Sequence, residues 1–211
     1  MSEVTAFQST RRFLLLGAAS FAVSACSGII GPSGENQIYL LKPLFPKMSG
    51  PAVSWGLSIG RPDAPQTLDS NRISISRSPT TMDYYADAVW PDRLTDLIRD
   101  FAVEAFEASG RIPAVAADSV GAHADYELEM EVRNFEARYD TPDGAPVAVV
   151  RFHAKLVTKL KQHIMGDFET AHEAQASANS VDAAVLAFDQ AFGAALAEVV
   201  EWTLRTGMPL G

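Results

Sequence analysis

Tyr126-Glu127-Leu128-Glu129-Met130-Glu131-Val132-Arg133-Asn134-Phe135-Glu136-Ala137-Arg138-Tyr139 is the stretch that decides the fold. Up to Val132 the apolar residues alternate strictly with Glu127, Glu129, Glu131 and Arg133, the period of a half-buried strand with one acidic face. After Asn134 the phase slips by one, and Phe135, Ala137 and Tyr139 take the apolar positions. A β-bulge produces such a slip, because one extra residue re-aims everything beyond it. Asp140-Thr141-Pro142-Asp143-Gly144 then reads as a turn. Beyond it Ala148, Val150, Phe152, Ala154, Leu156 and Leu160 alternate with Arg151, His153, Lys155 and Lys159. This second strand has a basic outer face, which favours pairing it with the acidic one. A third strand over residues 164–176 completes a long meander.

Outward from the meander, the C-terminal side is helical. Val181, Ala184, Val185, Phe188, Phe192, Leu196, Val199 and Trp202 form one apolar stripe. Ser180 is placed to cap its start and Gly207 to stop it. On the N-terminal side, residues 38–41, 53–60, 72–77 and 83–86 read as strands, with Ile73 and Ile75 inward. Pro91 suits the first position of a helix that carries Leu94, Leu97, Ile98, Phe101, Ala105 and Ala108 and ends at Gly110. Residues 112–116 read as a short strand. The expected fold is α+β: a single domain with an antiparallel or mixed sheet of about eight strands and two long helices packed on one face.

The first 36 residues read differently. Arg11 and Arg12 precede the apolar run Phe13–Val23, which is 11 residues long, within the range of a signal peptide and too short to span a bilayer. Val23-Ser24-Ala25-Cys26 follows. An aliphatic residue, two small residues and then Cys is similar to the lipobox of bacterial lipoproteins, which implies cleavage after Ala25 and diacylglycerol on the Cys26 thiol. Residues 1–25 are therefore expected to be a signal, 26–36 a lipidated Gly/Ser/Pro tether reaching roughly 30 Å, and 37–207 the folded domain. Arg11 and Arg12 fit a twin-arginine signal or an ordinary secretory one equally well. Cys26 is the only cysteine, so no disulfide can form within the chain. Beyond the signal no further run is expected to approach spanning length.

The chain has 17 basic and 26 acidic residues, a net charge of −9. Residues 1–25 hold two arginines and one glutamate, so the processed chain keeps 15 basic against 25 acidic, a net −10. That balance argues against nucleic acid as a partner and against electrostatic adsorption of the whole domain to anionic lipid. No nucleophile elbow, zinc-binding His pair, Cys pair or phosphate loop is present, and no catalytic residue, metal ligand or cofactor is assigned. His123, His153, His163 and His172 match no metal spacing. Glu127, Glu129 and Glu131 read as the wet face of a strand, with Arg151, Lys155 and Lys159 to neutralise them. The serines at 70, 74, 76 and 78 read as an outer strand face. Tyr84, Tyr85 and Trp90 form the aromatic group of interest: such side chains near loops favour interfaces, and at least one of the three is expected to pack in the core instead.

The order of these features resembles a known family. A lipobox is followed by Tyr39-Leu40-Leu41, then Leu68-Asp69-Ser70-Asn71-Arg72 before the isoleucine strand, then Tyr84-Tyr85 and Trp90 before a leucine-rich helix. Ala124-Asp125-Tyr126-Glu127-Leu128 leads to Asn134-Phe135-Glu136-Ala137, and a helix closes the chain. This is similar to the ABC-type transport auxiliary lipoprotein components, the group that includes paraquat-inducible protein C, over about residues 37–205. The resemblance implies a non-enzymatic periplasmic component of a lipid or organic-solvent transport system. Its implied partners are a mammalian-cell-entry domain protein and the ABC permease and ATPase of the same system. It implies membrane attachment through the lipid anchor, with the outer membrane favoured because Ser27 rather than Asp follows the cysteine, and it is compatible with a homo-oligomer. The alternative reading is a structural or assembly lipoprotein of another envelope complex.

Overall fold

In chain order the elements are β1 (Gln37–Ile38), β2 (Leu57–Ile59), β3 (Arg72–Ser78), β4 (Thr81–Val89), α1 (Leu94–Ser109), β5 (Val115–Ala117), β6 (Tyr126–Arg138), β7 (Val147–Thr158), β8 (His163–Gln175) and α2 (Val181–Thr206). They come from a computed structural model, which describes residues 36–118 and 124–209. Arg11, Arg12, Ala25, Cys26, most of the tether and His123 lie outside the described residues. The architecture is α+β, one mixed eight-stranded sheet with two helices.

β6 is the strand around which the sheet is organised. On one edge it pairs antiparallel with β7 along its whole length, and β7 pairs antiparallel with β8. Its other edge is shared: β2 runs parallel to its first half, with Leu57 opposite Tyr126, and β3 parallel to its second half, with Ile75 opposite Ala137. β4 and then β1 extend the sheet beyond β3, and β5 extends it beyond β2. The predicted bulge is present: Val132 faces Phe152 but Asn134 faces Arg151, so Arg133 is the extra residue. With it, Tyr126, Leu128, Val132, Phe135 and Ala137 are all buried.

These side chains lie under the helices. Phe135 stacks on Phe188 of α2 at 4.9 Å between ring centres, with Trp90 edge-on to both. Phe192 meets Phe152 of the sheet and Phe101 of α1 edge-on, which ties the two helices to each other and to the strands. Ser180 caps α2 by accepting from the Ala183 amide at 3.2 Å. Gly207 ends α2 without a left-handed turn; its place is set by the Trp55 ring, which leaves no room for a Cβ there.

Several ends differ from expectation. α1 starts at Leu94 rather than Pro91, because Arg93 is extended and the Leu94 amide donates to the Ser70 carbonyl. The first two strands are only two and three residues long. Past Ile38 the chain leaves the sheet to lie on α2, and before Leu57 the Val53 amide bonds the Arg111 carbonyl outside any strand. The short strand before β6 sits at 115–117 rather than 112–116. Leu160 is not inward; it is 89% exposed in the β7–β8 turn. Ser74, expected on an outer strand face, is buried there, opposite Tyr84. One expectation about membranes also needs correction. α2 has 26 residues and a mean hydropathy of 1.5 over its most apolar window, enough by length and composition to cross a bilayer. Two thirds of that window is buried, 67%, as suits the core helix of a sheet-covering layer.

Removing the Phe135 ring opens a cavity at the meeting point of Trp90, Phe188 and Phe192. Phe135→Ala is expected to lower stability by about 3–5 kcal/mol in denaturant unfolding, whereas Leu160→Ala should stay within about 0.5 kcal/mol.

Candidate functional site

The face of the sheet away from the helices carries an open groove of about 1000 Å³, between the β3–β4 hairpin tip (residues 76–82) and the outer side chains of β6, β7 and β8. Strand alternation puts these side chains here: Phe135, Phe152 and Phe168 point to the helices, so Glu136, Arg151 and Glu169 point away. Most of the charges are paired across strands. Arg138 makes two bonds to the Glu173 carboxylate, 2.7 and 2.8 Å, and a third to Asp140 at 3.0 Å. Arg151 donates to Glu169 at 2.6 Å. Lys159 reaches Glu127 at 3.4 Å, as the opposed charge rows lead one to expect, while Glu131 pairs with Arg133 on its own strand.

Glu136 stands apart, 7% exposed on the outer face. It accepts from the Asn134 side-chain amide at 2.9 Å and the Phe135 backbone amide at 3.0 Å. Burial raises its carboxyl pKa above the ordinary range, with the Asn134 and Phe135 bonds and Arg138 pulling the other way. Sequence reading missed this residue. Its signal was an acid two places after the phase slip, where the bulge folds Asn134 back onto it. The groove's hydroxyls bond one another, Ser78 Oγ lying 2.7 Å from Thr81 Oγ1, which builds a turn and not a nucleophile–base pair.

The three aromatic candidates do not converge. Trp90 is 1% exposed and belongs to the core, so it offers nothing to a partner. Tyr84 and Tyr85 are neighbours on β4 and point to opposite sides. The Tyr84 hydroxyl donates to the Thr67 carbonyl at 2.9 Å, and the Arg72 guanidinium lies 3.6 Å over its ring. The Tyr85 hydroxyl lies 2.8 Å from that of Tyr139, which donates to Asn179 at 3.1 Å. Burial, then the Tyr139 bond, pushes the Tyr85 phenol above its usual pKa. Both rings are half-buried and keep some surface.

The motif residues prove to be scaffolding. Asp69 accepts from the Thr95 hydroxyl at 2.7 Å at the start of α1 and pairs with Arg61 and Arg93 at 3.0 and 3.3 Å. The Thr95 bond, then the arginines, hold its carboxyl below the usual range against some desolvation. Asp125 accepts from the Gly56 amide at 2.8 Å, and the Tyr126 hydroxyl donates to the Met208 carbonyl at 2.6 Å. His172 lies 3.1 Å from Glu198 on α2, and Thr170 donates to the same carboxylate at 2.7 Å. Among the described residues no three His, Cys, Asp or Glu side chains gather as a metal site would require.

A family model described as ABC-type transport auxiliary lipoprotein component matches residues 39–200. The crystal structure of a protein from Xanthomonas campestris is 34% identical and superposes with a TM-score of 0.74, covering 81% of this chain and 96% of its own. A second crystal structure, of an uncharacterized protein, superposes with a TM-score of 0.61 at 18% identity, over 80% of this chain and 99% of its own; this likeness is one of fold alone. A curated relative, an uncharacterized protein from Bradyrhizobium diazoefficiens, is 27% identical over 165 residues, 75% of this chain. The chain spans 43% of that relative's length.

Because the folded state raises the Glu136 pKa, it holds a proton that the unfolded chain has already released. Stability contributed there is present below the unfolded value, 4.5, and is lost as pH rises through the folded value. Glu136→Gln should therefore flatten the fall in stability as pH rises above 4.5, measured as the denaturant midpoint at successive pH values. An unchanged slope would contradict the assignment.

Proposed function

We propose, from the premise that this chain belongs to the ABC-type transport auxiliary lipoprotein component family, that it is a non-catalytic, lipid-anchored envelope protein. It serves a mammalian-cell-entry type system that moves lipids or organic solvents. Cys26 carries the anchor after cleavage at Ala25, and the tether keeps the domain beside its membrane, the outer one being favoured by Ser27. Its partners are the mammalian-cell-entry domain protein and, through it, the ABC permease and ATPase.

The observation that supports this reading best is the use the fold makes of its polar residues. The family match spans nearly the whole folded body, and the polar residues that carry the resemblance serve the fold: Asp69 and the Ser70 carbonyl hold the start of α1, Asp125 holds the Gly56 amide, and Asn134 sits at the bulge. A rigid body with its charges paired off suits docking better than chemistry. Tyr84 and Tyr85 are the surface aromatics proposed for that contact.

In cells fed a palmitate analogue, the wild-type chain is expected to incorporate label and fractionate with membranes. Cys26→Ala should do neither. Affinity purification of the wild type should enrich a mammalian-cell-entry domain protein; enrichment of an unrelated envelope assembly in its place would favour the structural-lipoprotein alternative. Tyr84→Ala should weaken that co-purification by about tenfold, the scale of an interface aromatic, compared under conditions where the variant remains folded, because the change also removes the Thr67 bond and the Arg72 contact and lowers the unfolding midpoint. Equal recovery from wild type and Tyr84→Ala would remove this residue from the contact.

A further inference from the structure

We propose that the strap Ile38–Leu44, together with Leu186 of α2, is a second membrane contact that lays its aliphatic side chains on an anionic lipid surface. The strap is extended and strictly alternating. Leu41 and Pro43 are buried, while Ile38, Leu40, Lys42 and Leu44 face solvent. The three aliphatic members are 61%, 55% and 87% exposed. With side chains pointing to one side every second residue, neighbours in this row stand about 7 Å apart.

The strap is fixed to α2. The Lys42 amide donates to Asp189 at 2.6 Å. A Cβ at Gly193 would lie 3.4 Å from the Leu44 carbonyl and the Pro43 ring, so the backbone approaches the helix closely there. Asp182, Leu186, Asp189 and Gly193 fall at helical spacing on one stripe, which places Leu186, 61% exposed, alongside the strap. Four of the eight most exposed large apolar side chains among the described residues thus belong to one strip. An apolar row held on a rigid helix does not collapse inward, and it asks for a cover.

Chain length and charge identify that cover as lipid. Ile38 lies twelve residues after Cys26, a reach of about 40 Å at full extension, so an anchored Cys26 keeps the strap close to the bilayer at all times. Glu35 precedes Asn36, and from there to Pro62 no Asp or Glu occurs; Lys42 and Lys47 are the charges of that stretch apart from Arg61, which is paired with Asp69 and Asp96, in a chain of net charge −9. The strap's near acids are Asp182 and Asp189 on α2, and Asp189 is occupied by the Lys42 amide. Aliphatic residues interleaved with lysines are the composition of an interfacial segment on anionic lipid.

The inference rests on the proposed anchor, and the test separates the two. Cys26 is the only cysteine and acylation blocks its thiol, so in the full lipoprotein Leu44→Cys provides a unique thiol for an environment-sensitive dye, and Leu160→Cys, in the β7–β8 turn, provides the control; where mass measurement finds Cys26 unacylated, both variants are labelled on a Cys26→Ser background so that the dye still reports one position. In vesicles of phosphatidylcholine with phosphatidylglycerol, the dye at residue 44 should shift to the blue and be quenched by a lipid-borne quencher several-fold more than at residue 160. Vesicles of phosphatidylcholine alone should give a smaller effect. Equal, water-like spectra at both positions, or burial of residue 44 only when a protein partner is added, would overturn the proposal. Mass measurement of the N-terminal peptide reports acylation independently. A strap that stays wet on an acylated protein refutes the strap and not the anchor. A strap that enters lipid on an unacylated protein refutes the anchor and not the strap.

Discussion

One inserted residue, Arg133, lets a single long strand serve two halves of the fold. Before it, β6 needs even-numbered residues under the helices; after it, odd-numbered ones. Without the step, Phe135 and Ala137 would face the polar groove and Glu136 would be driven into the ring cluster of Trp90, Phe188 and Phe192. The same step has a second effect. It leaves both Arg133 and Asn134 on the outer side, and Asn134 turns its amide onto Glu136 at 2.9 Å. The bulge therefore sets the core on one face and buries a carboxylate on the other. β2 and β3 also meet β6 on either side of this point, so the change of partner along one edge coincides with the change of phase.

The parts of this fold that were legible in sequence are those governed by periodicity over many residues. β6, β7 and α2 each present a regular apolar set to one surface, and the charge rows on β6 and β7 face each other in the Lys159–Glu127 pair. What was illegible depends on distant backbone. α1 has no capping side chain; the Ser70 carbonyl and Asp69 supply its start from a loop more than twenty residues away. Residues 38–41 look like a strand because they form a short apolar run, but only Gln37–Ile38 pair in the sheet, and the residues beyond lie as a strap on a helix. β4 carries the Tyr84–Tyr85 pair where three extra residues relative to β3 and a left-handed Asp87 break the ladder. Adjacent aromatics on such a strand cannot form one surface patch, and the sequence gives no warning of the break.

The candidate site was less legible than the fold for a related reason. A reaction centre advertises itself through residue types at fixed spacing, whereas a docking surface is defined by what remains outside after the core has formed. Trp90 illustrates the difficulty. Placed near a loop beside two tyrosines, it has the composition of an interface, yet it packs inward against Phe135 of β6 and Phe188 of α2. Once the core has taken Trp90, and once cross-strand pairs have neutralised Arg138, Arg151, Glu169 and Glu173, few unsatisfied groups remain on the sheet.

Those remaining groups are unevenly placed. The sheet's outer face is polar and internally paired, so it competes weakly for a partner: any ligand must displace bonds such as Arg138–Glu173 that are already made. The strap on α2 is apolar and unpaired, so burying it displaces only water. The two faces consequently suit different neighbours. A surface whose charges are satisfied can remain solvated or make a reversible contact through Tyr84, Tyr85 being turned to the other side toward Tyr139, whereas a row of exposed aliphatics gains from burial, the bilayer being the cover proposed for it. With the strap on the membrane, as proposed, the polar face of the sheet on the side away from α2 stays open to the proposed transport partner.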